Sequence, residues 1–119
     1  MLKKFLNSFR FAFRGAAQTF RAERNMKVHL TAAVLVIAAG FRFSITNTEW
    51  CIVALCIGGV LAAETFNSAI EALTNLVKPD FHPQAGKIKD TAAGAVLLVS
   101  IAAAVCGALI FGKYLFAAG

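Results

Sequence analysis

The chain has 119 residues, of which 59% are hydrophobic and only 15% are charged, and its mean hydropathy is +0.71. These values exclude an ordinary soluble globular domain and predict an all-α integral membrane protein with a single domain, residues 1–119. The net charge of +6 does not indicate nucleic-acid binding, because the basic residues form no tract interleaved with groove-reading groups. The three cysteines lie in apolar runs without metal-ligand spacing, so we interpret them as packing residues: Cys51, Cys56 and Cys106.

Residues 1–27 are predicted to form an interfacial amphipathic helix that ends in a polar segment. Leucines and phenylalanines recur at helical spacing on one face, and lysines and arginines occupy the other. This pattern is typical of a helix that lies in the plane of a membrane surface. Phe11 falls on the basic side, where it is either a simple surface residue or an aromatic platform for a flat group such as a base. Glu23, in the polar segment, is either half of a surface ion pair or a carboxylate that meets other acids at the membrane edge.

Three membrane helices are predicted, over 28–46, 50–77 and 90–112. The apolar runs of the first two are short for a hydrocarbon core of about 30 Å, so we expect both helices to extend beyond it. Thr48 is predicted to cap the second helix, and Trp50 to anchor it at the interface. A loop that contains two prolines and a glycine, residues 78–86, precedes the third helix, which we expect to open over 86–91.

The basic residues predict how the chain is oriented. Three spans place the N-terminus and the 78–90 loop on one side of the membrane, and that side holds every lysine and arginine except Arg42 and Lys113. The positive-inside rule makes that side cytoplasmic. The same side holds every acidic residue except Glu49, so the polar chemistry is expected at the cytoplasmic face.

The second membrane helix carries a polar face near its end. Glu64 and Glu71 are separated by about 700° of helical rotation, and Asn67 and Ser68 fall between them on the same face. Carboxylates at the end of a membrane-length apolar segment cost free energy and indicate function. They are suited to binding a divalent cation, to acting as a general base on a lipid hydroxyl, or to lining an ion path. The nearby lysines and arginines favour a magnesium–nucleotide site over a bare cation site, although no Walker A or kinase-loop motif is present.

Four motifs together resemble the bacterial integral-membrane diacylglycerol kinase family, most closely its undecaprenol kinase branch. They are E-R-N-x-x-x-H over 23–29, E-x-x-N-S-A-I-E-A over 64–72, H-P over 82–83 and A-G-K-I-K-D-T-A-A-G-A-V over 85–96. The resemblance covers essentially the whole chain. It implies a homotrimer of three-span protomers in the bacterial cytoplasmic (inner) membrane, each with an N-terminal surface helix. It also implies phosphorylation of a membrane lipid alcohol with ATP and Mg²⁺ at the cytoplasmic interface.

The resemblance implies roles for individual residues as well. Glu64 matches the catalytic base and Asn67 a supporting amide, both beside the lipid substrate, whereas Glu23 and Glu71 match metal-binding acids. Nucleotide contacts are implied for Phe11, Asp80, His82, Lys89 and Asp90. Some relatives carry a tyrosine where this chain has Phe11.

Simpler interpretations of these residues stay open. Asn67 and Ser68 could form interhelical hydrogen bonds, Lys89 and Asp90 could be a solvated helix start, and His82 could be an exposed loop residue.

Three functions are therefore considered from the sequence. The motif over 23–29 favours undecaprenol as the lipid alcohol. Diacylglycerol is the alternative substrate. A small non-enzymatic membrane protein or ion conduit, with acids lining a water path, is the alternative of another class.

Overall fold

The computed structural model describes residues 1–118, which fold into four α-helices. In chain order they are α1 (Leu2–Ala22), α2 (Arg24–Phe43), α3 (Asn47–Val77) and α4 (Pro83–Ala118). No β-strand occurs in the described part of the chain, and α2, α3 and α4 are each long and apolar enough to cross a membrane. The prediction of an all-α protein with three candidate spans is confirmed. The predicted single domain runs to Gly119, which lies outside the described residues.

The junction between α1 and α2 is a single residue. Glu23 has an extended backbone (φ −94°, ψ 123°), and its amide donates to the carbonyl of Thr19 at 3.0 Å. Because α2 begins at Arg24, most of the predicted polar segment is the first turns of this helix rather than a loop. The early start gives α2 the extension that its short apolar run led us to expect.

A tight turn joins α2 to α3. Ser44 adopts a left-handed conformation (φ 51°, ψ 55°), which ends α2 at Phe43 instead of the predicted 46. The side chain of Thr46 accepts the Glu49 amide at 3.2 Å, and the Glu49 carboxylate accepts the Thr46 amide at 2.9 Å. This capping box makes Thr46 the N-cap, so the predicted cap at Thr48 is wrong. The Thr-x-x-Glu spacing that a capping box needs exists from residue 46 but not from residue 48.

Contacts at this end of the molecule show that α3 runs antiparallel to both neighbours. Trp50, at the start of α3, packs on Gly40, near the end of α2. Glu49 forms an ion pair with Lys113 and accepts a hydrogen bond from Tyr114, both near the end of α4. The main apolar cluster lies here and is built around Ile45, Val53 and Ile110.

The connection from α3 to α4 is shorter than predicted. Pro79 cannot continue the ladder of α3, which ends at Val77, and α4 already begins at Pro83 rather than within 86–91. Proline suits the first position of a helix because its φ is fixed and its missing N–H needs no partner there. The Nδ1 atom of His82 accepts the amide of Gln84 at 3.1 Å and caps the new helix. The membrane helix predicted over 90–112 is therefore the middle part of a longer helix.

Candidate functional site on helix α3

The polar face of α3 is buried against its neighbours. Glu64 is 2% exposed and Asn67 is 6% exposed, so neither side chain meets solvent freely. Glu64 and Met26 are the largest side chains in the described residues that are almost wholly removed from the surface. Burying a carboxylate among apolar helices opposes folding unless it is paired, so its presence here indicates a functional group.

His29, on α2, faces the buried carboxylate. Its Nε2 atom lies 3.6 Å from Oε2 of Glu64, and its side chain remains 21% exposed. In the sequence, His29 is a position of the motif over 23–29 to which no role was assigned. Its approach to Glu64 follows from antiparallel packing, because the two residues lie at similar distances along the chain from the turn at 44–46. Their similar distance from the turn was the signal in the sequence that could have predicted the contact between His29 and Glu64.

Asn67 is bonded to the last acid of α3. Its Nδ2 donates to Oε1 of Glu71 at 3.2 Å, as expected for residues four apart on one helix face. The Oδ1 atom of Asn67 and the Oγ atom of Ser68 are buried and have no hydrogen-bond partner among the described residues. The interpretation of these two residues as interhelical hydrogen-bonding groups is therefore not supported within residues 1–118. Buried polar atoms without partners are rare in proteins, and they are suited to bonding a ligand.

An apolar groove leads away from the His29–Glu64 contact. It encloses about 320 Å³ between α2, α3 and α4, with His29 at its polar end. Small and aliphatic side chains form its walls, including Ala32, Val60, Ala103 and Gly107. The groove therefore suits an apolar chain that ends in a polar group.

The acids assigned to metal binding lie on different elements. Glu23 is half-buried at the α1–α2 junction, and Glu71 is half-buried on α3. Within residues 1–118, no three histidine, cysteine, aspartate or glutamate side chains are grouped closely enough to hold a metal ion. A meeting of Glu23 with the other acids of the site, one of the two interpretations of this residue, is thus not found in the described chain.

A magnesium ion that arrives with ATP nevertheless fits this donor set. Mg²⁺ uses one or two protein carboxylates and takes its remaining oxygen ligands from phosphates and water. Glu71 would supply a carboxylate, and Asn67, whose Nδ2 is bonded to Glu71, would supply its unpartnered Oδ1 as a neutral oxygen.

The residues assigned to the nucleotide lie at or near the helix ends. Asp80 and His82 are exposed in the α3–α4 connection, Lys89 is half-buried in α4, and Asp90 beside it is exposed. Within the described residues, the side chains of Lys89 and Asp90 form no hydrogen bond or ion pair. Phe11 is exposed on α1.

The arginine that follows Phe11 by one turn covers its ring. The guanidinium of Arg14 lies 5.6 Å from the ring centroid. A cation–aromatic pair of this kind leaves the other ring face open for stacking.

Sequence comparison now decides the family. Residues 10–111 match the family described as prokaryotic diacylglycerol kinase. The chain belongs to this family. It is 41% identical over 110 residues to an undecaprenol kinase of Bacillus subtilis (strain 168), a match that covers 92% of this chain and 89% of that protein. It is 37% identical over 103 residues to a diacylglycerol kinase of Synechocystis sp. (strain ATCC 27184 / PCC 6803 / Kazusa), covering 86% of this chain and 59% of that one.

The comparison confirms the resemblance inferred from the four motifs. Both relatives are named as lipid kinases, and the matched region includes α2, α3 and most of α4. The chain that carries the site on α3 is therefore a member of a family of lipid kinases.

Proposed function

We propose that this protein phosphorylates undecaprenol with ATP at the cytoplasmic surface of a bacterial inner membrane. The observation that carries the proposal is the position of Glu64. It is a buried carboxylate 3.6 Å from His29, and His29 lines the polar end of an apolar groove that a long-chain alcohol could enter. The 41% identity to a protein named undecaprenol kinase supports this choice of substrate.

In the proposed reaction, Glu64 acts as the general base. It accepts the proton of the lipid hydroxyl while the hydroxyl oxygen attacks the γ-phosphorus of ATP, and ADP leaves. One N–H of the Asn67 Nδ2 is held by Glu71, and its second N–H would donate a hydrogen bond to the lipid oxygen. Asn67 thereby orients this oxygen, and the single proton of the hydroxyl goes to Glu64.

The remaining predicted residues would serve the nucleotide. Glu71 and Glu23 would hold Mg²⁺, which neutralises phosphate charge when bound. Lys89 would contact the phosphates and Asp90 would fix that contact. Asp80, His82 and Phe11 would lie along the rest of ATP.

We also propose that α1 lies in the membrane surface and that the protein is a homotrimer with its N-terminus and 78–90 loop in the cytoplasm. Helix α1 has no buried residue, and its leucines and phenylalanines are exposed except for the half-buried Phe20. Much of the apolar surface of the spans is also exposed in a single chain, so lipid or other copies must cover it. The trimer rests on the family resemblance. Mass measurement of the detergent-solubilised protein tests the trimer, and labelling of single cysteines from each side tests the orientation.

Phosphate transfer from labelled ATP to lipid tests the function. The purified full chain in lipid bicelles is given undecaprenol and diacylglycerol in competition, with and without Mg²⁺. We expect labelled undecaprenyl phosphate to predominate and both products to require Mg²⁺. Preferential labelling of diacylglycerol would move the assignment to the second candidate, which the 37% identity to a diacylglycerol kinase favours. No labelled product with either lipid would reject a kinase and leave the conduit hypothesis.

A further inference from the structure

A buried general base must lose its proton after every turnover. The carboxylate of Glu64 is 2% exposed, so water has almost no direct access to it. A second phosphoryl transfer cannot begin until the proton taken from the first lipid hydroxyl has left Glu64. The site therefore needs a path for this proton as well as a base.

The neighbours of Glu64 leave one such path among the described residues. Asn67 lies between Glu64 and Glu71, and an amide does not exchange protons at neutral pH. His29 is the titratable side chain recorded in contact with Glu64, and imidazole both accepts and releases protons near neutral pH. Its 21% exposure gives the ring access to the surface that Glu64 lacks.

The surroundings of His29 point the same way. Arg24 and Lys27 precede it on α2 and are exposed, which marks this end of the helix as the polar end. From α3, the charged group that faces it is Glu64. From α4, the residues that line the same groove are small, and Ser100 is the polar one among them.

We propose that His29 relays the proton from Glu64 to water, an inference that rests on the proposed kinase function. After phosphoryl transfer, the carboxylic acid of Glu64 gives its proton to the unprotonated Nε2 of His29, which forms an imidazolium and restores the carboxylate. The imidazolium then releases one proton to water and returns to the neutral ring. No electron changes hands, and each turnover delivers one proton to solvent.

Rapid-quench kinetics of a His29→Gln variant test the relay. Glutamine can still donate a hydrogen bond to the carboxylate, but it cannot take up and release a proton. Because the relay acts only after phosphoryl transfer, we expect the first turnover to proceed at the wild-type rate. Later turnovers should be about tenfold slower or more, so product appears as a burst of one per site. A His29→Ala variant, which leaves space for a small base, should regain steady-state rate when imidazole is added.

Two results would overturn the relay. Equal slowing of the first and later turnovers would mean that His29 only positions Glu64, and unchanged kinetics would mean that it has no role. Thr31→Val, an exposed change on the same helix, is the matched control and should leave both phases unaltered. Wild-type protein that phosphorylates no lipid would reject the kinase itself, which separates that failure from failure of the relay.

Discussion

Replacing Glu64 with glutamine separates chemistry from folding at this site. The change keeps the size and shape of a side chain that is 2% exposed, and it removes only the charge and the ability to take a proton. Loss of a general base slows reactions by about 10²–10⁴-fold. That range corresponds to about 3–5 kcal/mol of transition-state stabilisation. Because burying an ion opposes folding, the neutral amide should leave thermal stability unchanged or slightly raised.

Glu49→Gln is the matched control, since Glu49 is the other buried glutamate of α3 and lies at the opposite end of the helix. Its carboxylate is bonded to Thr46, Lys113 and Tyr114, so the amide should lower the thermal midpoint. Activity per folded molecule should be retained. Both variants are measured by label transfer from ATP and by thermal unfolding in detergent. The assignment of the base fails if Glu64→Gln keeps activity within tenfold of wild type, or if its activity loss follows a loss of folded protein.

Two further changes test the metal and the packing. Glu71→Gln keeps an oxygen that can accept a hydrogen bond from the Asn67 amide but removes the charge. The Mg²⁺ concentration for half-maximal activity should therefore rise by about tenfold or more. An unchanged magnesium titration would show that Glu71 does not bind the metal. Gly40→Ala would place a Cβ 2.5 Å from the ring of Trp50 and should destabilise the fold by about 1–3 kcal/mol in detergent unfolding. Gly58→Ala, where no atom lies within 4 Å, should leave stability equal or higher, and equal effects of the two alanines would contradict this account of the turn.

The sequence predicts the helices and the polar face of α3 because both follow from local spacing. Residues three and four apart on a helix must share a face, so the approach of Asn67 to Glu71 could be read without a structure. The helix ends were less predictable because several candidate caps compete within a few residues. Thr48 lies close to the true cap, Thr46, and Pro83 starts α4 ahead of the glycine that suggested a later start.

Contacts between helices could not be predicted from the local spacing of residues. The approach of His29 to Glu64 depends on the turn at 44–46, whose left-handed Ser44 fixes how α2 returns against α3. The position of Glu23 depends on a junction of one residue between two helices, and its side chain was expected beside acids that do not gather in the described chain. The helical period of the sequence shows on which face of its helix a residue lies, whereas the packing of the helices decides which residues of a neighbouring helix that face contacts.

The buried polar groups of α3 are of two kinds: those that are hydrogen-bonded within the chain and those that are not. Glu49 is bonded to Thr46 in the turn before α3 and to Lys113 and Tyr114 on α4, and the hydroxyl of Thr74 donates to the carbonyl of Ile70 at 2.7 Å. An apolar surrounding makes such internal satisfaction the rule, because an unpaired polar atom there costs several kcal/mol. Asn67 departs from the rule with a buried carbonyl oxygen that the chain leaves unbonded, one turn from Glu64. The polar atoms that the described chain leaves open on α3, those of Asn67 and Ser68, thus lie within about one turn of Glu64, where the proposed reaction requires groups that bond a ligand.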